Sequence, residues 1–184
     1  IDGAFEMQAD KALLTTGVCA EGFDRAEGRR LVIEGLQPVV EHGQQAGVTV
    51  MIEDFGSLQS PYQTSDECLE VLQGVPGLKM NYDTGNMFLG DEDSVKFLHV
   101  IKDYMVHAHA KDWTPIAEGG LPTRGGKRYI GTVVGQGELD YPSIISELKE
   151  LKYNGYISFE YEGNQDPVAA AKQGTQYLLD LINS

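Results

Sequence analysis

Two hydrophobic rhythms alternate along the chain. Short apolar runs with strand character recur, separated by stretches in which apolar residues return every three or four positions. ADKALLTTG (residues 9–17) reads as a buried strand that stops at glycine. From about Ala26 to Ala46 the positions Leu31, Leu36, Val39, Val40 and Ala46 keep helical spacing, and Gly47 supplies a C-terminal stop. Gly35 and Pro38 fall inside that run and mark where it could break. VTVMIEDFG (48–56) is β-branched and continuous, the pattern of a strand covered on both faces. Ser65 and Asp66 can cap a helix through Leu72, and the turn signal GVPG follows. LKMNYDTGN (78–86) reads as a strand, 94–104 as a helix and MVHAHAKD as another strand. The glycine-rich stretch from Trp113 to about Gly137 reads as a long loop. A helix over 142–152, the strand YISFEYEG (156–163) and a helix over 168–182 complete the series.

Strands alternating with helices imply βαβ units and a parallel sheet. Right-handed crossovers leave an open doubly wound sheet or a barrel. No G-x-G-x-x-G follows the first strand, and GQGELD (135–140) lacks the third glycine, so no nucleotide cofactor is expected. At 184 residues the chain is one domain, spanning 1–184. Its formal net charge of −14 argues against nucleic acid and anionic membrane surfaces as partners, because both are bound through lysine and arginine. No apolar run approaches the roughly 20 residues that span a bilayer. Cys19 and Cys68 match neither a metal spacing nor a disulfide framework, so a reducing, cytoplasmic setting is the expectation.

Chemistry enters at the strand ends. In MVHAHAKDW (105–113) the two-residue period puts His107 and His109 on one face and Val106, Ala108 and Ala110 on the other. Glu53 ends VTVMIE, Asp83 ends LKMNYD, His109 ends MVHAH and Glu160 ends YISFE. The carboxyl ends of parallel strands converge on one face, where ligands bind. Three carboxylates and one imidazole make a hard, mostly oxygen donor set, suited to Mn²⁺ first, with Mg²⁺ and Co²⁺ as alternatives.

The series IEDF, YDTGN, HAHAKD, GQGELD and YISFE resembles the xylose isomerase-like TIM-barrel superfamily of sugar isomerases and epimerases, whose members include ketose 3-epimerases, hydroxypyruvate isomerases and inosose dehydratases. The resemblance implies a (β/α)8 barrel of which this chain holds about the last five βα units, since such barrels run to about 250 residues. The first three units are then supplied by a longer protein, or something else, such as a second copy, closes the sheet. It also implies that Glu53, Asp83, His109 and Glu160 are metal ligands and that Glu53 and Glu160 exchange the substrate proton. Asn86 stands where ketose epimerases often carry a substrate-binding histidine; Lys111 and Asp112 match an H-x-K-D signature, and Gly135, Gly137 and Asp140 a G-x-G-x-x-D loop.

Other positions carry two readings each. His107 is a packed or supporting histidine rather than a ligand. Lys111 contacts a substrate oxygen or pairs with a carboxylate, and Asp112 orients a neighbour. Arg124, with Lys127 and Arg128, holds a sugar hydroxyl or phosphate or lies in a solvated loop. Trp113 stacks on a sugar or covers the barrel rim, and Glu162 reads as a loop residue. The expected activity is metal-dependent isomerisation or epimerisation of a small sugar in carbohydrate metabolism, by proton abstraction beside a carbonyl through a metal-bound enediolate. The alternatives are a lyase of the inosose dehydratase kind and an inactive truncated barrel.

Overall fold

A computed structural model describes residues 1–184. A short helix, α1 (Asp2–Glu6), precedes the first strand, β1 (Lys11–Leu14), which is much shorter than its apolar run. Helix α2 (Arg25–Ala46) is continuous through Gly35 and Pro38. Pro38 lies on the exposed side, where water can take the carbonyl that the missing N–H leaves free, while Leu36 and Val40 are buried. The Asp24 side chain accepts from the Ala26 N–H at the start of α2, and Gly47 ends it at φ +71°, a left-handed conformation that suits glycine. Then come β2 (Thr49–Glu53), α3 (Ser65–Gly74), β3 (Lys79–Asp83), a 3-10 turn (Met87–Gly90) and α4 (Ser94–Ile101).

Strand β4 (Met105–Ala110) follows the histidine pattern. Ala108 and Ala110 are fully buried, whereas His107 and His109 share the other face with ring centroids 5.4 Å apart. The stretch read as a long loop contains β5 (Asp112–Pro115), β6 (Leu121–Pro122) and β7 (Arg128–Thr132), paired antiparallel in the order β5-β7-β6. Gly119, Gly120, Gly125 and Gly126 sit in the turns between these short strands, so composition advertised turns and concealed pairing. Helix α5 (Tyr141–Glu150), strand β8 (Ile157–Phe159) and helix α6 (Pro167–Asn183) close the chain.

The main sheet is wholly parallel, in the order β1-β2-β3-β4-β8. Its five strands, with helices between them, make a TIM-barrel-like α/β half-barrel whose two edge strands, β1 and β8, each have one neighbour. Ile52, Met80, Tyr82 and Ala108 on the sheet pack with Leu72, Phe97, Leu98 and Ile145 from the helices. Burying each such large side chain contributes about 1.5–3 kcal/mol. No helix is long and apolar enough to cross a membrane.

Candidate metal centre

The register of the sheet brings the strand ends level. Asp83 pairs with His109 across β3 and β4, His109 with Ser158 across β4 and β8, and the Glu160 N–H donates to the Ala110 carbonyl. One ligand atom from each of Glu53, Asp83, His109 and Glu160 lies within 4.8 Å of the others. His109 Nδ1 stands 2.7 Å from Glu53 Oε1, 2.9 Å from Glu160 Oε1 and 3.9 Å from Asp83 Oδ2.

Each side chain is held from behind. Asp83 Oδ1 accepts the N–H groups of Gly85 and Asn86, at 2.7 and 2.9 Å, so the YDTGN turn folds around it and Oδ2 is left facing the centre. Thr84 locks that turn to β4, its hydroxyl accepting the Lys111 N–H and donating to the Lys111 carbonyl. Trp113 Nε1 donates to the Gly85 carbonyl at 2.8 Å. The Asn81 amide donates to Glu53 Oε1, and His107 Nε2 meets Ser158 Oγ at 2.9 Å one pleat below His109. Asn81 went unremarked in the sequence, although the two-residue period puts it on the face of Asp83.

Lys111 is nearly buried, yet its ammonium reaches the same cluster. Nζ lies 2.8 Å from Glu160 Oε2, 2.8 Å from Glu162 Oε1, 3.2 Å from Asn86 Oδ1 and 3.5 Å from Asp83 Oδ2. Asn86 also donates to the Asp54 carbonyl, tying the end of β2 to Lys111.

Burial pushes the Asp83 carboxyl up to about 6, Lys111 pulling it down and Glu53 pushing it up again. His109 and Lys111 hold the Glu160 carboxyl down at about 2 against burial. Burial works against a charged His109, but the carboxylates of Glu160 and Glu53 outweigh it and raise the imidazole to about 10. Lys111 is raised as well: burial is overcome by Asp83, Glu160 and Glu162. Asp54 points to the opposite face of β2 with both carboxyl oxygens unpartnered, and burial, with Asp83 and Glu53 nearby, pushes it well above the carboxylate range.

Whether these residues fit a cation is tested by their unsatisfied atoms. Asp83 Oδ2 and His109 Nδ1 are both buried without a hydrogen-bond partner, although two carboxylates crowd the imidazole. Buried polar atoms are rarely left so, and two that face one point beside two further carboxylates fit a hard divalent ion.

The other expected residues divide. Asn86 and Lys111 line a cavity of about 550 Å3 above the centre, with Glu53, Glu160, Glu162 and the apolar rim of Phe55, Leu58, Leu121 and Pro122. Asp112 is an organiser: its carboxylate accepts N–H groups from Trp113, Gly135, Gly137 and Leu139. Gly137 has no room for a Cβ, which would fall 2.1 Å from Asp112 Oδ1. Trp113 is no stacking platform, because it is 1% exposed and packs beneath the turn it locks. Arg124 is drawn away from the cavity, to Gln63 Oε1 at 2.8 Å and Glu67 Oε2 at 3.0 Å, since Glu67 offers it a carboxylate from the start of α3. A larger cavity of about 590 Å3 lies beside β1 and α2, but no acid or histidine lines it.

A half-barrel with acids and an imidazole gathered at the carboxyl ends of adjacent parallel strands is the architecture of α/β-barrel enzymes. The chain belongs to the xylose isomerase-like TIM barrel family, which it matches over residues 2–181. It is 28% identical over 165 residues to inosose dehydratase of Geobacillus kaustophilus, covering 83% of this chain and 52% of that protein. It is 23% identical to 2-oxo-tetronate isomerase of Pectobacterium atrosepticum, covering 88% of this chain and 59% of that one. Among solved structures, the IOLI protein with a binding zinc atom superposes with a TM-score of 0.78 at 16% identity, covering 99% of this chain and 66% of its own. The chain thus spans between half and two-thirds of the length of these relatives.

Proposed function

We propose that this chain carries the catalytic centre of a divalent-metal-dependent isomerase or epimerase acting on a small sugar or polyol ketone, with Glu53, Asp83, His109 and Glu160 as ligands. We also infer that its five parallel strands are the last five of an eight-stranded barrel. The observation that carries the functional reading is the convergence of these four side chains, from β2, β3, β4 and the end of β8, on buried atoms left without partners. Inosose dehydratase, a relative named for a polyol ketone, supports the substrate class.

When bound, a divalent ion would polarise the substrate carbonyl and acidify the adjacent C–H, with Mn²⁺ the preferred ion of this oxygen-rich set. Glu53 and Glu160 come from the two outer strands of the four, so they approach a ligand from different sides. One takes the proton beside the carbonyl, leaving an enediolate, and the other returns a proton to the opposite face or the neighbouring carbon. Asn81 holds Glu53 and Lys111 holds Glu160, so each carboxylate keeps one oxygen fixed. A second reading is favoured by the likeness to inosose dehydratase: the same abstraction is followed by expulsion of the β-hydroxyl as water.

The test is exchange of the carbon-bound proton in deuterium oxide, followed by proton NMR with added Mn²⁺. The parent protein is expected to exchange the proton beside the ketone, and Glu53→Gln and Glu160→Gln to slow exchange by about 10²–10⁴-fold, the usual contribution of a positioned base. Exchange at the parent rate in both variants would end the two-glutamate reading. Appearance of an unsaturated product instead of an isomer selects dehydration.

A further inference from the structure

Resting on the carbohydrate reading above, we propose that the site is built for uncharged polyol ketones and rejects sugar phosphates and sugar acids. The cavity wall carries Glu53, Glu160 and Glu162, and Asp83 lies directly beneath. Lys111 is the one cation on that wall, and its three N–H bonds face three oxygens, those of Glu160, Glu162 and Asn86. An incoming phosphate or carboxylate would have to displace one of them to reach the ammonium. Arg124, on the hairpin that borders the mouth, is committed to Gln63 and Glu67. Four carboxylates against one lysine leave the wall negative even with a divalent ion in place.

What such a wall offers in abundance is hydrogen-bond acceptance. Glu162 is half exposed and uses only Oε1, leaving Oε2 for a ligand hydroxyl. Hydroxyls donate to carboxylates, whereas anions meet repulsion there. Across the mouth, Leu58 and Leu121 are partly exposed and face the cavity, as does Phe55, and these surfaces suit the C–H side of a ring or chain. The structure therefore selects by charge: ligands with many hydroxyls and no anionic tail are accepted.

The experiment uses the 184-residue protein loaded with Mn²⁺ and reads relaxation of ligand protons by the bound ion. Three probes are compared: a ketohexose, its 6-phosphate and the 2-oxo acid of matching chain length. Binding of the neutral ketose at least about tenfold tighter than either anion is the expected result, since like charges in contact cost several kcal/mol. Glu162→Gln removes one wall charge and releases Lys111, so it should narrow that preference by about fivefold or more through tighter binding of the anions. Anions that bind as well as the ketose, or a preference unmoved in Glu162→Gln, overturn the charge selection and leave the metal site standing. Failure of all three probes on protein that has taken up Mn²⁺ overturns the carbohydrate reading together with it.

Discussion

Glu67 ties three parts of the half-barrel together, and replacing it with glutamine gives a quantitative test of that connection. Its Oε2 accepts the N–H groups of Gln63 and Thr64, at 2.9 and 3.1 Å, completing a capping box at the start of α3. Arg25 reaches the same oxygen from the start of α2 at 2.8 Å, Arg29 stands 3.6 Å from Oε1, and Arg124 approaches from the hairpin at 3.0 Å. The Glu67 side chain is 18% exposed, so water screens these pairs only in part. Glutamine keeps the shape and one acceptor oxygen, but turns an amide toward the donors and leaves three guanidinium groups facing one another. Hydrogen bonds to a charged partner contribute about 1.5–3 kcal/mol each, and the arginines recover part of that from solvent, which sets the expected loss at about 2–3 kcal/mol. For a chain of this size that corresponds to a fall in Tm on the order of 4–12 °C. Burial raises the Glu67 carboxyl, but the Thr64 and Gln63 N–H groups, with Arg124 and Arg25, outweigh it, and the net shift is downward. A carboxylate depressed in the folded state contributes stability that is complete above its unfolded value and is lost as pH falls through the folded one. Urea unfolding of parent and Glu67→Gln at about pH 7 and about pH 3 should therefore give a gap that narrows in acid. A gap below about 0.5 kcal/mol at neutral pH, or one of equal size at both, would refute the reasoning.

Asp112→Ala strips the acceptor from four backbone N–H groups, so urea unfolding should register a loss of about 3 kcal/mol or more, with Asp112→Asn between it and the parent. Mn²⁺ at about one hundred times its Kd should stabilise the protein by about 2.7 kcal/mol, seen as a rise in melting temperature; no rise with Mn²⁺, Mg²⁺ or Co²⁺ counts against a preformed centre. Asp83→Asn and His109→Asn should weaken Mn²⁺ uptake by at least about tenfold, measured by calorimetry, and excess metal should restore part of the exchange activity, unlike in the glutamate variants.

The centre was legible because strand periodicity and strand ends are written locally. VTVMIE, LKMNYD and MVHAH announce both the strands and the residues that finish them, and parallel pairing does the rest. The YDTGN turn was less readable: its fold depends on Trp113 and Thr84 meeting residues about thirty positions away. Gly35 and Pro38 suggested a break in α2, but burial of Leu36 and Val40 holds the helix together across them. The antiparallel strands over 112–132 were hidden by their brevity and their glycines. Arg124 illustrates the limit most plainly, because its carboxylate partner lies fifty-seven residues earlier in sequence and no local pattern connects the two. Glu162 lies in the loop after β8, as its position implied, but its pairing with Lys111 and its place on the cavity wall had no local signal.

The hairpin of β5, β6 and β7 lies between β4, the strand that carries His109, and α5, rooted at Asp112 and moored at Arg124. It gives the cavity part of its rim, through Leu121 and Pro122, yet contributes none of the four converging side chains. The apolar part of the rim can therefore change without disturbing the four converging side chains. Duplicated copies of such a gene can lengthen, shorten or recolour residues 116–123 and acquire new clients while the reacting groups stay untouched. Divergence within this architecture should accordingly concentrate at the hairpin tip and stop at its two moorings.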